Sequence, residues 1–142
     1  MKRARHLLEN KGTDIWSITP DASVLDAIKM MAEKGIGALL VMEGASLTGI
    51  VSERDYARKV ILQGRSSRET PVREIMTDKV FSASPDNSID ECLALMTNKR
   101  VRHLPVVDGG NVVGVLSIGD LVKAKIDEQQ YHIEQLQNYI TA

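Results

Sequence analysis

Shifted against itself by 65 residues, the chain matches over 43 positions without a gap: "IWSITPDASVLDAIKMMAEKGIGALLVMEGASLTGIVSERDYA" (15–57) lies on "VFSASPDNSIDECLALMTNKRVRHLPVVDGGNVVGVLSIGDLV" (80–122). Pro20 falls on Pro85, Asp21 on Asp86, Ser23 on Ser88, Met31 on Met96 and Leu39 on Leu104, while Gly49, Ser52 and Asp55 find Gly114, Ser117 and Asp120. A unit of this size buries too little apolar surface to stand alone. The two copies are therefore expected to fold alike and to share the work of covering their apolar faces. The total length of 142 residues fits one such pair.

Within each copy the periods are legible. A short β-rich segment (15–19; 80–84) stops at Pro-Asp, a turn signal. Ser23 and Ser88 are N-cap residues with Asp26 and Glu91 three positions on, and Val24, Ala27, Ile28, Met31 and Ile89, Cys92, Leu93, Met96 form one apolar helical stripe each. Gly35 ends the first helix, whereas Arg100 stands at the same place in the second. Strands are expected at 38–43 with 47–52 and at 103–108 with 112–117, joined by "EGAS" and "DGGN" as hairpin turns. A second helix starts at Ser-x-x-Asp. The order strand-helix-strand-strand-helix, twice, predicts an α/β (α+β) fold whose two repeats pack with pseudo-twofold symmetry and enclose two clefts. The expected division is 7–64, a polar linker "RSSRETP" at 65–71, 72–125, and a helical extension at 126–142.

This order, with "PDxS" before the first helix, "RHLPVVDGGNVVGVLSIGD" in the second copy and "LLVMEGASLTGIVSERD" in the first, resembles a tandem pair of CBS domains, named after cystathionine β-synthase. The resemblance covers about residues 7–125; with no catalytic domain in the sequence, it is to the free-standing kind. It implies a non-enzymatic sensor or regulator that binds adenosine-containing ligands, commonly AMP, ADP, ATP, NAD(H) or S-adenosylmethionine, and no catalytic cofactor. Carried over residue by residue, one cleft would combine Gly12, Ile18, Ile36 and Ala38 with Val115, Ser117, Gly119 and Asp120. The other would combine Thr77, Ala83, Val101 and His103 with Ile50, Ser52 and Asp55.

The Ser-x-x-Asp motif has two readings. Ser23/Asp26 shows the same spacing where no ligand is expected, so Ser52/Asp55 and Ser117/Asp120 can be capping boxes and nothing more. The resemblance gives their carboxylates a second role, accepting from the neighbouring hydroxyls of a ribose, and matches Arg54, Arg102 and His103 to phosphate contacts; the alternative for these three is ordinary surface charge. The copies diverge here: "SERD" carries Glu53 and Arg54 where "SIGD" carries Ile118 and Gly119, and Gly37-Ala38 faces Arg102-His103. The two clefts are thus expected to differ.

Other features narrow the function classes. A net charge of -1 gives no sign of a nucleic-acid binder, the basic stretch 54–68 being the one support for that reading or for a structural module. A nucleotide-acting enzyme would need a phosphate-cradling Gly-rich loop with lysine, or a nucleophile with a paired base, and neither is legible. His6 and His132 have no partner at metal-ligand spacing, so no metal site is expected. Lone Cys92 reads as a small core hydrophobe in a reducing compartment, and Trp16 and Phe81, at equivalent positions, as bulky core or cleft-wall residues. No apolar run approaches the roughly 18 residues of a membrane span, and a cytoplasmic protein is expected. In the tail, Val122, Ile126, Gln129, Ile133, Leu136 and Ile140 step by four and three, a stripe suited to packing on its own pair or to a homodimer contact. The partner that such a sensor would regulate is not legible.

Overall fold

The structure, a computed structural model, describes residues 2–12 and 14–141. The elements run α1 (Ala4–Lys11), β1 (Ser17–Ile18), α2 (Val24–Lys34), β2 (Ala38–Glu43), β3 (Ser46–Ser52), α3 (Glu53–Tyr56), α4 (Ile89–Lys99), β4 (His103–Asp108), β5 (Asn111–Ser117) and α5 (Ile118–Thr141). A π-helical turn, Ala57–Ile61, extends α3, and a 3-10 turn, Val72–Glu74, precedes the second copy. The fold is mixed α/β, and the chain divides into two compact units: Ile15–Val80, and Met1–Asp14 together with Phe81–Ala142.

In the unit 15–80, β1 pairs parallel with β2 and β2 antiparallel with β3, Ala38 opposite Ser52. The helix α2 lays Val24, Ala27 and Met31 against Leu39, Val41 and Val51, and Val60, Val72 and Ile75 complete this core. The first turn of α2 has its donors satisfied one by one. Val24 N–H goes to the Thr70 carbonyl and Leu25 N–H to that of Ser67, both at 2.9 Å; Asp26 N–H goes to Ser23 Oγ at 3.1 Å. These are the groups a helix start leaves orphaned. Residues 65–71, expected as a linker, are therefore docked along the helix start, with Thr70 buried.

In the other unit, β4 and β5 form a hairpin with His103 opposite Ser117. Ser88 Oγ accepts from Glu91 N–H at 3.1 Å and Glu91 Oε1 from Ser88 N–H at 2.9 Å, a complete capping box. The serine bonds hold the Glu91 carboxyl below its ordinary value. Arg100 ends α4 at φ 55, in the left-handed conformation that Gly35 adopts at φ 66 after α2. The expected strand at 80–84 shrinks to a parallel bridge between Ala83 and Val106. Proline supplies the reason: Leu40 donates its N–H to the Trp16 carbonyl at 3.2 Å, and its counterpart Pro105 has no N–H to give the ladder.

The packing units do not follow the repeat boundaries. Helix α1 precedes the first copy yet packs with the second: Ala4, Leu7 and Leu8 join Ile89, Cys92, Met96, Leu104 and Leu121 in one core. Residues 70–76 precede the second copy and pack with the first. The two segments make matching bonds. Val72 N–H goes to Ala22 O at 2.8 Å and Arg73 N–H to Pro20 O at 2.9 Å; Ala4 N–H goes to Asn87 O at 2.8 Å and Arg5 N–H to Pro85 O at 3.0 Å. Val72 thus corresponds to Ala4 and Arg73 to Arg5, an offset of 68 rather than 65. Three extra residues between α1 and β1 hide this part of the repeat from a gapless comparison.

Both segments seat a side chain on a motif glycine. A Cβ on Gly114 would lie 2.5 Å from Leu8 Cδ2, and one on Gly49 would lie 2.6 Å from Met76 Sδ and 2.9 Å from the Thr77 carbonyl oxygen. Neither glycine has positive φ. They are required by close approach, not by backbone conformation.

Candidate ligand-binding site

Each Ser-x-x-Asp motif sits where a hairpin strand turns into a helix, and each is a complete capping box. In the unit 15–80, Asp55 Oδ2 accepts from Ser52 N–H and Ser52 Oγ, both at 3.0 Å, while Asp55 N–H donates to Ser52 Oγ at 3.2 Å. The second carboxylate oxygen, Oδ1, pairs with Lys59 Nζ at 3.2 Å, and that ammonium also donates to the Ile75 carbonyl at 2.9 Å. Asp55 is 14% exposed at its side chain. The ends of the hairpin are tied as well: Ile50 and Thr77 exchange backbone bonds of 2.9 and 2.8 Å, and Glu53 N–H donates to Gly37 O at 3.0 Å.

In the other unit Asp120 Oδ2 accepts from Ser117 N–H at 2.8 Å, and Asp120 N–H donates to Ser117 Oγ at 3.2 Å. Ile118 N–H donates to Arg102 O at 2.8 Å, the counterpart of the Glu53–Gly37 bond. What differs is the cation. Lys11, at the end of α1, donates from Nζ to Asp120 Oδ2 at 2.6 Å and to the Val115 carbonyl at 2.8 Å. Burial pushes the Asp120 carboxyl up, but the bonds from Lys11 and the Ser117 amide, with the Lys11 charge, outweigh it and hold the group below its ordinary value of 3.8.

Within the unit 15–80 the structure brings Ile50, Ser52, Asp55 and Thr77 together at one strand end, with Ala38 opposite Ser52 in register. Ile18 and Ile36 pack against that unit's core, and Arg54 is exposed on the first turn of α3. In the other unit Val115, Ser117, Gly119 and Asp120 share the turn from β5 into α5, and His103 lies opposite Ser117. Val101 packs against the core, Arg102 is exposed, Ala83 is buried, and Gly12 closes α1 at φ 101. A Cβ on Gly119 would meet Ser117 Oγ at 3.6 Å, ordinary contact, so this glycine is not sterically required there.

Trp16 departs from a core role: it is 39% exposed, with Lys34 Nζ 4.3 Å from its ring centroid. Lys99 repeats the arrangement over half-buried Phe81 at 5.0 Å. Both are cation–π contacts. The sequence reading missed Lys11 and Lys59. Lys59 was within reach as the i+4 partner of Asp55; Lys11 lies outside the aligned repeat and 109 residues from its aspartate. Among the described residues no group of three or more His, Cys, Asp or Glu could hold a metal ion. No helix among them is long and apolar enough to cross a membrane.

The family model described as "CBS domain" matches residues 11–61 and again 72–127. The chain belongs to the CBS-domain family. Among curated relatives, the CBS domain-containing protein CBSX3, mitochondrial, of Arabidopsis thaliana is 41% identical over 134 residues, covering 91% of this chain and 65% of that protein. The chain thus spans about two thirds of that relative. A solved protein with CBS domains from Burkholderia ambifaria is 56% identical, with a TM-score of 0.86 over 90% of this chain and 96% of that one. The CBS domain pair of MJ0100, solved in complex with 5′-methylthioadenosine and S-adenosyl-L-methionine, shares the fold at 24% identity, with a TM-score of 0.79 over 90% of this chain and 98% of its own.

Proposed function

We propose that this CBS-domain protein is a non-catalytic regulatory module that binds an adenosine-containing ligand, with Asp55 and Asp120 accepting hydrogen bonds from the ribose hydroxyls. The observation that carries this reading is the pair of half-buried carboxylates, each fixed by a backbone amide at a strand-to-helix turn. A capping box and a ribose seat are compatible: the box holds each carboxylate in a fixed orientation, so a ligand meets it already positioned. The complex of the MJ0100 pair with two adenosine compounds is in keeping with it, at the level of the fold. AMP, ADP, ATP and NAD(H) are all candidates, and the remaining residues expected to line the ligand enter the proposal with Arg54, Arg102 and His103 on the phosphate side.

The module acts in the cytoplasm as a homodimer, and its ligand shifts the affinity for a partner protein yet to be identified. For the dimer the support is α5, which exposes Val122, Ile126, Ile133, Leu136 and Ile140 along one stripe. A dimeric mass in light scattering after truncation behind Lys125 would exclude the stripe as the dimer contact.

The ligand reading is tested by thermal shift with AMP, ADP, ATP, NAD⁺, NADH and S-adenosylmethionine on the wild type, D55N and D120N, asparagine being chosen because its amide oxygen can still accept from the Ser52 or Ser117 amide. A ligand at about 100 times its Kd stabilises by roughly 2.7 kcal/mol per seat; each single variant should lose the share of its own seat, and D55N/D120N together the whole gain. No shift for the wild type with any compound at millimolar concentration would refute the reading.

A further inference from the structure

Lys11 does in one unit what a backbone amide does in the other. The Ile50 carbonyl accepts from Thr77 N–H at 2.8 Å; its counterpart Val115 accepts from Lys11 Nζ, also at 2.8 Å. The ammonium then reaches further, to Asp120 Oδ2 at 2.6 Å. With the Ser117 amide already on that oxygen, both of its in-plane lone pairs are taken. A vicinal diol binding a carboxylate in bidentate fashion needs one lone pair on each oxygen. The seat of Asp120 is therefore occupied by the protein's own cation. At Asp55 the Ser52 amide and hydroxyl fill Oδ2 and Lys59 meets Oδ1 from one turn along the same helix, bridging to the Ile75 carbonyl; Lys11 differs in reaching its aspartate from a separate helix 109 residues away.

The backbone of α1 is anchored without this lysine, through Ala4 N–H to Asn87, Arg5 N–H to Pro85 and the buried Leu8 on Gly114. Its side chain is 40% exposed, and beside the pair opens a recess of about 250 Å³ bordered by Leu7, Asn10, Lys123 and Asp127. The ammonium can leave Asp120 while α1 stays anchored through Leu8, its last turn alone losing a tether, with the Asp127 carboxylate on the border of the space it would enter.

We propose that Lys11 is a built-in competitor at the Asp120 seat: a ribose must displace it, and filling that seat releases the last turn of α1. This rests on the ligand reading above. The partial exposure of the pair sets the size of the effect, since such ion pairs are worth up to about 1 kcal/mol, or roughly fivefold in a dissociation constant.

The experiment is calorimetric titration of adenosine and of AMP into the full chain in a D55N background, where only the Asp120 seat keeps its carboxylate, comparing Lys11, K11M and K11Q. Melting curves check that each variant is folded. Removal of the competitor should tighten both compounds by the same factor of about five, and amide exchange at residues 9–12 should speed up on adding adenosine only when Lys11 is present. Unchanged affinity in both variants would overturn the proposal. So would weaker AMP binding with unchanged adenosine, which would make Lys11 a phosphate contact. Binding of neither compound to any variant or to the wild type would instead sink the ligand reading itself, and the competition with it.

Discussion

Adding one methyl group to Gly114 tests the swapped packing directly. The residue lies in a strand without positive φ, so alanine meets no backbone penalty, and on conformational entropy alone it should stabilise by about 0.4–1 kcal/mol. The neighbour reverses the sign. The new Cβ would stand 2.5 Å from Leu8 Cδ2, 2.9 Å from Cδ1 and 3.2 Å from Cγ, and Leu8 is 5% exposed and held in a core with Leu7, Leu104 and Leu116. Forcing a methyl group into such a contact costs about 1–3 kcal/mol. Urea unfolding of G114A followed by circular dichroism should show that loss. The decisive variant is the double one. L8A alone should cost about 2–5 kcal/mol through the space it leaves; in that background the Gly114 methyl enters the vacated volume, and its cost should fall to about zero. A coupling of about 1–3 kcal/mol between the two positions is expected. Additive losses, or a G114A that is neutral by itself, would refute the packing of α1 on the second copy.

Three further outcomes follow from single groups. Asp120 and Glu91 both sit below their ordinary carboxyl values, 3.8 and 4.5; each therefore contributes stability that is present above the unfolded value and lost as pH falls through the lower folded one. Acid titration of K11M should show a smaller loss below about pH 4 than the wild type, because the lysine bond and charge that depress Asp120 are gone. Burial pushes the Cys92 thiol up, so it should stay unreactive toward a disulfide reagent at pH 8 in the native protein and react only on unfolding, as labelling kinetics in urea would reveal. Arg100 holds φ 55 where the first copy has glycine; R100G should raise the unfolding free energy by about 1 kcal/mol, and a loss instead would mean that its side chain matters more than its backbone.

Much of the site was legible because its signals are local. Ser52/Asp55 and Ser117/Asp120 announce a cap within four residues, and the short apolar runs in "LLVME" and "LPVVD" mark buried strands whose turns carry glycine. The shortfall of β structure at 80–84 was legible too, in principle, once Pro105 is set against Leu40. That the stretch 65–71 docks on the start of α2 is not written in its polar composition, because the bonds that hold it are made by main-chain carbonyls, which any residue type supplies.

By itself, then, the sequence determined the duplicated unit, its caps, turns and strands, and the family to which it belongs, since all of these are written in spacings of a few residues or in the register of the repeat. The tertiary structure alone decided which copy each leading segment covers, why Gly49 and Gly114 have no side chain, and that Lys11 lies on Asp120. Those facts join residues as far as 109 positions apart. A close approach of that kind depends on where two packed elements bring their side chains, and no local periodicity records it.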